Sequence, residues 1–232
     1  MTLAMLAMTS ALANPPRGEV FGGVSGSATQ NYTYLTFQPA ILRSEDASFV
    51  LRATLQHVYF NYLDDEDNIQ VDAAGTSFGP GFVFSPGRLS LSMAIGLHAQ
   101  HATSKIDGNA DRGLQLDASL EGNVVYSPWA QAQLYGIFNF SAASPYLWAR
   151  AGATHAIVPQ RTDSSLALRG GLEATSSGTF QARILEVGPV LELAARDIGA
   201  VFSVRGGLAV DTGDALRSRL SPSLGAGAYW AF

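Results

Sequence analysis

The stretch Arg88 to Gln100, RLSLSMAIGLHAQ, constrains this chain more than any other. Its odd positions are Leu89, Leu91, Met93, Ile95, Leu97 and Ala99; its even positions are Arg88, Ser90, Ser92, Ala94, Gly96, His98 and Gln100. A period of two is the pattern of a strand with one face in apolar surroundings and the other face wet. The stretch is about twice the usual globular strand of about five to six residues. It matches instead the roughly nine to eleven tilted residues that cross a bilayer in a transmembrane β-barrel. A soluble sandwich would bury the same face in its own core, so the rest of the chain has to decide where the apolar face points.

The 232 residues allow one domain, and a barrel of this size would be one. Only 14% are charged, against about 25% in a typical globular chain, while 47% are hydrophobic. Yet no apolar run approaches the ~18 residues of a membrane helix. Hydrophobicity spread thinly and never in a block is what alternating strands require. There is no cysteine, hence no disulfide framework and no thiolate metal site, which fits an envelope protein that must cross the periplasm without mispairing. The net charge of −5, with Lys105 the sole lysine, offers no basic patch for nucleic acid.

Residues 1–13, MTLAMLAMTSALA, are apolar and end in the small-x-small sequence Ala11-Leu12-Ala13. This predicts a signal peptide over 1–13 and a mature barrel domain over 14–232, starting at Asn14-Pro15-Pro16. The usual basic n-region is missing, so either the start lies upstream or the signal is atypical. From Glu19 onward the chain reads as strands and turns. A first pair covers 18–29 and 31–42, with the polar turn Arg43-Ser44-Glu45-Asp46 after it. Phe49, Leu51, Ala53 and Leu55 alternate with Val50, Arg52, Thr54 and Gln56, and the acidic run Asp64-Asp65-Glu66-Asp67 forms a loop. A glycine-rich strand ends in Phe82-Val83-Phe84, and Ser85-Pro86-Gly87 turns into the opening stretch. A loop over Thr103 to Arg112, containing Asp107-Gly108-Asn109, is followed by Leu114 to Glu121, as cleanly alternating as the opening stretch. Ser127-Pro128 turns the chain, and strands follow at 130–142, 146–158, near 165–175, 179–193 and 199–210, and at 219–232. The alternation of 179–193 shifts near Ile184-Leu185, where a bulge is expected.

The expectation is an all-β fold, a single antiparallel up-and-down transmembrane β-barrel of about twelve strands. Turns near 44, 86, 128, 162 and 196 alternate with mostly longer loops, the asymmetry of periplasmic turns and extracellular loops in the bacterial outer membrane. The chain closes on Leu224, Ala226, Ala228, Trp230 and Phe232 on one face. A terminal Phe on an aromatic, alternating strand resembles the C-terminal signature by which outer-membrane barrels are recognised for insertion. Phe49, Phe84, Tyr126, Trp129 and Trp230 fall near the expected periplasmic ends, and Tyr59, Phe138 and Phe140 near the opposite ends, as two interfacial girdles would.

If the apolar parity faces lipid, the strand charges Arg52, Asp117, Glu121, Arg150, Arg169, Glu173, Glu186, Glu192 and Arg205 all face the lumen. An Arg facing lipid near the midplane would cost about 2–4 kcal/mol, so their common parity is a consistency test. These charges are of both signs. They would either fill a narrow barrel with ion pairs and hydrogen bonds, or line a watery passage in which Tyr146 and Trp148 offer sugar-stacking surfaces. His98, Gln100, His101 and Asp107 are expected at the extracellular mouth. With Ser104, and His57 near another loop, they are the raw material of a hydrolase, but no nucleophile elbow or His-Glu-x-x-His frames them. The acidic run Asp64 to Asp67 lacks the spaced ligands of a calcium loop. The residues therefore point to no enzyme, no metal and no cofactor.

The mature chain resembles the cellulose biosynthesis protein BcsS family of bacterial outer-membrane proteins. The resemblance begins at Phe21-Gly22-Gly23 and is clearest in Ser48 to Tyr62, SFVLRATLQHVYFNY, where that family carries a Phe-aliphatic-Leu-Arg strand followed by spaced tyrosines. It runs on through Gln100-His101, Asp107, Ser127-Pro128 and Tyr146-Leu147-Trp148-Ala149-Arg150 to the aromatic C-terminus. It implies an outer-membrane accessory of cellulose or related exopolysaccharide production or export, with membrane lipid around it and a polysaccharide chain or cellulose-secretion components as partners. It implies neither the synthase nor the tetratricopeptide-bearing export porin, because the chain has no glycosyltransferase signature and no helical repeats. A passive sugar porin and an outer-membrane lipid or polysaccharide hydrolase are the alternatives.

Overall fold

The computed structural model describes residues 17–64, 67–106, 109–129, 131–142, 146–157, 165–178, 183–211 and 220–232. The expected signal peptide, Asp65, Glu66 and Asp107 lie outside these residues, as does the turn expected near 162. Twelve strands run in order: β1 (Gly18–Gly26), β2 (Gln30–Arg43), β3 (Ala47–Asp64), β4 (Asp67–Phe84), β5 (Leu89–Ile106), β6 (Asn109–Trp129), β7 (Ala132–Ser141), β8 (Tyr146–Ala156), β9 (Leu166–Gly178), β10 (Arg183–Ala195), β11 (Ala200–Asp211) and β12 (Leu220–Ala231). Each pairs antiparallel with its sequence neighbours, and β1 pairs with β12 to close the barrel. The even strand count brings both termini to one end, called the lower end below. The connections at 44–46, 85–88 and 196–199 lie at that end with them.

The alternation places the residues as their chemistry demands. On β5, Leu91, Met93, Ile95 and Leu97 are exposed on the outer wall, and Ser90, Ser92, Ala94 and His98 are buried inside. The same inversion holds around the barrel: Leu97, Leu116 and Leu224 are more than 70% exposed outside, whereas Arg52, Glu121, Arg150, Arg169, Glu173 and Glu192 are buried inside. Charged residues in and leucines out is the reverse of a soluble barrel, and it is stable where the outer solvent is hydrocarbon. Phe49, Phe84, Tyr126, Trp129 and Trp230 stand outward near the lower end, where a girdle belongs.

The structure corrects four expectations. Thr103 to Arg112 is not a loop: β5 runs to Ile106 and β6 resumes at Asn109, with the ladder kept up to that pair. Likewise β3 and β4 stay paired up to Asp64 and Asp67, so both of those residues belong to strands and not to a loop. The outward residues His57, Asp72 and His101 mark where the outer face turns polar. Beyond them the outward positions are no longer uniformly apolar, and the period of two fades from the sequence. Ser127-Pro128 is an irregularity within β6 and not the turn, which follows Trp129. Near Ile184-Leu185 there is no bulge: β10 pairs continuously with β9 from Arg183 to Ala195.

Three ladders are interrupted elsewhere. Between β2 and β3, Gln38-Pro39 faces Leu51-Arg52 without pairing, and the register is unchanged at Ala40 and Val50. Between β4 and β5, Gly79-Pro80 faces Ile95-Gly96 without pairing, and register resumes unchanged at Gly81 and Ala94. Between β10 and β11, Gly188-Pro189 faces Gly206-Gly207 in the same way. A Cβ on Gly79 would lie 2.0 Å from the carbonyl oxygen of Ile95, and one on Gly188 would lie 1.9 Å from that of Gly206. Glycine lets the backbones approach that closely, and proline has no N–H to leave unpaired there. Gly171 makes a similar approach to Ala153, but its ladder stays intact.

Candidate functional site

The lumen is the site the fold builds, and its side chains fall into three tiers. At the lower end an apolar floor of Val50, Val83, Ala167, Ala194, Val201, Tyr229 and Ala231 spans the bore, with Phe21 and Ala40 packed against it. These are inward positions at the strand ends nearest the termini.

Above the floor lies an ionic tier in two groups. In the first, Glu121 accepts hydrogen bonds from Ser77 at 2.5 Å, Thr54 at 3.2 Å and Arg52 at 3.5 Å. Arg52 also donates to Gln38 at 2.7 Å and Ser92 at 3.1 Å, and Gln38 in turn donates to Glu19. In the second, Glu173 lies between Arg150 at 3.3 Å and Arg205 at 3.0 Å and accepts the Tyr135 hydroxyl. Arg169 donates to Gln133 and stands opposite Glu192 in the ladder. Each charge is taken out of water but given a partner, the condition under which buried charges are tolerated. Glycines make the room: a Cβ on Gly152 would meet the Tyr135 ring at 2.4 Å, and one on Gly225 the Arg205 guanidinium.

At the upper end the lining turns aromatic. Tyr32, Val58 and Trp148 pack together with Tyr34, Phe60 and Ile137. The Tyr32 and Trp148 rings stack at 5.5 Å, and the Arg150 guanidinium lies 4.8 Å over Trp148. Beside them Ser177 donates to Gln30 at 2.8 Å, and Asn139 reaches Gln56 at 3.5 Å. Between the aromatic and ionic tiers Tyr32, Tyr34, Trp148, Arg52, Glu121 and Asn139 border a cavity of about 30 Å³, room for a water or two and not for a sugar residue.

Arg52, Asp117, Glu121, Trp148, Arg150, Arg169, Glu173 and Arg205 all point inward. The Tyr146 side chain lies outside the described residues. Trp148 is not a free stacking surface, since Tyr32 already covers it. Of the expected mouth group, Asp107 lies outside the described residues, and His98, Gln100 and His101 do not come together. His98 is buried within the barrel, because β5 continues well above it, and it contacts Asp117 at 3.4 Å and Gln56 at 3.1 Å. Gln100 shares its inward parity, but His101 lies on the outer wall. Ser141 donates to Asp117, so the carboxylate stands between serine and histidine. A nucleophile needs the histidine on its hydroxyl, so this order is wrong for a hydrolase. His57 pairs with Asp72 at 2.8 Å on the outer wall, in the open.

The residues that brace the upper lumen and were not singled out are Gln30, Tyr32, Tyr34, Gln56, Asn139 and Ser177. Their inward parity on β2, β3, β7 and β9 was legible, but alternation ranks no inward position above another. Which of them meet across the bore depends on the cross-section of the barrel.

No family model matches the chain, and neither does any curated protein. Solved structures do. The β domain of the Bordetella autotransporter BrkA is 12% identical with a TM-score of 0.56, covering 94% of this chain and 100% of that one. An outer-membrane channel from Pseudomonas putida F1 is 10% identical with a TM-score of 0.55, covering 95% and 97%. The translocator domain of the autotransporter NalP from Neisseria meningitidis is 12% identical with a TM-score of 0.50, covering 98% and 93%. At these identities the likeness is one of fold. Together with the inverted surface, it makes this chain an outer-membrane β-barrel.

Proposed function

We propose that this barrel is a non-enzymatic accessory of exopolysaccharide production, with cellulose as the first polymer to test, and that its resting lumen is closed to passive diffusion. The reading is carried by the way the lumen is filled: floor, ionic tier and aromatic tier are each braced from wall to wall. A passive porin would need an unobstructed bore, and none of the tiers leaves one among the described residues. The family resemblance supports the process. Its clearest segment, on β3, and a further one, on β8, contribute Arg52 and Trp148 to the border of the same cavity.

Deletion of the gene in a cellulose-producing host, with polymer measured by dye binding and by glucose release, is expected to lower or mislocalise cellulose. Unchanged deposition in that host would sink the proposed process. Steady, large channels from the purified protein in planar bilayers would sink the closed resting lumen.

A further inference from the structure

The strands do not end level at the upper end. Ser141 of β7 pairs with Tyr146 of β8, so those two strands turn back together. Across from Ser141 stands Ser119, the uppermost residue of β6 with a partner in β7. One more bond, from the Ala142 N–H to the Ala118 carbonyl at 3.1 Å, ends that ladder. β6 itself rises further, to Asn109, paired with β5 all the way. From Asp117 up to Asn109, the side of β6 away from β5 therefore borders no strand among the described residues. The corresponding margin of β3 is much shorter, because Asn61 still donates to the Thr29 carbonyl close to the end of β3 at Asp64.

The backbone groups along this margin alternate. In an antiparallel strand the N–H and C=O of one residue point to one side and those of the next residue to the other. Ala118 turns its carbonyl to β7, so Leu116 and Leu114 turn their groups the same way, while Gln115 and Asp117 turn theirs to β5. Gly113, Leu114, Gln115 and Leu116 are all exposed, the two leucines by more than 70%. Leu114 pairs with His101, at the level where the outer face turns polar, so this apolar pair stands at the upper margin of the apolar band. Sheet edges are usually blunted by proline, lysine or a bulge. Between Gly113 and Ala118 there is no proline and no lysine, and the β5–β6 register runs without a shift.

We infer that this margin is a strand-addition site: an extended segment of a partner polypeptide lies antiparallel to Gly113–Ala118, continuing the line of β7, and bonds the N–H and C=O groups of Leu114 and Leu116. A polypeptide fits because donors and acceptors at ladder spacing are complemented along their length by another extended backbone. Its segment should alternate, with apolar residues outward beside Leu114 and Leu116 and polar residues inward beside Gln115. A second upright copy does not fit. Strands of such barrels lean about 35–45° from the axis, so two copies related by an axis along the membrane normal would bring their β6 margins together crossed at about twice that angle. The inference rests on the strand ladders alone and holds whatever polymer the barrel serves.

The test uses the full chain in lipid nanodiscs holding one barrel each. The probe is a short synthetic peptide alternating valine with threonine and ended by lysines. Hydrogen exchange at the Leu114 and Leu116 amides is expected to be fast in the protein alone and to slow by about tenfold or more at saturating peptide. The valine amides are the ones that would face β6, so the same peptide N-methylated there should bind about tenfold more weakly. Leu116→Pro removes an N–H on the open side only, which an edge strand tolerates, and should weaken the parent peptide to a similar degree in a barrel that still shifts on heating. The methylated peptide gives a readout that does not depend on that variant folding. Leu114 and Leu116 amides as slow without peptide as those of β5 would overturn the inference, and so would a saturating peptide that protects neither. Equal binding of the methylated peptide would mark side-chain adhesion and sink strand addition. Leu116→Cys copies that cross-link fully in vesicles and no longer take the peptide would give the margin to a second copy and refute the choice of partner.

Discussion

Glu121 is the residue whose loss should be felt furthest. Its carboxylate gathers Ser77 of β4 and Thr54 and Arg52 of β3 onto β6, all buried. Glu121→Leu removes the charge and leaves the Arg52 guanidinium in the bore. Breaking a buried pair from one side costs about 3–5 kcal/mol, because the remaining charge is stranded. Here Arg52 keeps Gln38 at 2.7 Å and Ser92 at 3.1 Å, and the ion pair itself is long at 3.5 Å. The loss should therefore fall at the lower end, about 3 kcal/mol, or roughly a hundredfold in the unfolding equilibrium. Arg52→Leu with Glu121→Leu removes both charges, and a buried pair replaced by apolar groups is often near neutral. Thr54 can fall back on Thr36 at 3.0 Å, so the double variant should recover at least half of the loss. The assay is urea unfolding of the barrel in lipid vesicles, followed by tryptophan fluorescence and by the heat-modifiable band. A cost below about 0.5 kcal/mol for Glu121→Leu, or a double variant whose cost is the sum of the singles, would refute the reasoning, since coupled neighbours do not add.

Three further outcomes follow from the same structure. Ile95→Arg places a charge on the outer wall near the middle of the apolar band of β5 and should destabilise the inserted barrel by about 2–4 kcal/mol in the same unfolding assay. Gly152→Val drives a side chain into the Tyr135 ring, which is buried and tied to Glu173, and overpacking of this kind should cost about 1–3 kcal/mol and lower the unfolding midpoint. His57→Ala should change stability by less than about 0.5 kcal/mol at moderate salt, because its pair with Asp72 stands open to water on the outer wall.

Alternation made most of the architecture legible. The strand number, the inward parity of Arg52, Glu121 and Glu173, and the outward girdle all follow from a period of two that is enforced where one face meets hydrocarbon. Where that constraint ends, so does the signal, and the tops of β3 to β6 read as loops. Partnership was hidden for a different reason. Parity says that Tyr32 and Trp148 point inward, but not that the walls bearing them lie close enough to stack. That depends on the cross-section of the barrel, which the period of two does not encode. His98 illustrates both limits: its inward parity was readable, but its depth was not, because the apparent end of β5 came too early.

The unequal strands also order the events of assembly. β3 with β4, and β5 with β6, are long hairpins whose partners are neighbours in the chain, the kind of contact that forms early. The closing ladder of β1 with β12 joins Glu19 to Ala231, near opposite ends of the sequence. Its middle pairs are Gly22 with Ala228, Gly23 with Gly227, Val24 with Ala226 and Ser25 with Gly225, so side chains add little to what the backbone bonds supply. We expect the tall hairpins to serve as a template and the small-residue junction to zip last, with pulsed hydrogen labelling during refolding finding the amides of β3–β6 protected before those of β1 and β12. The upper half of that junction, from Gly22 to Ser25, can form with little side-chain repacking, whereas Phe21 and Tyr229 below it must also settle into the floor.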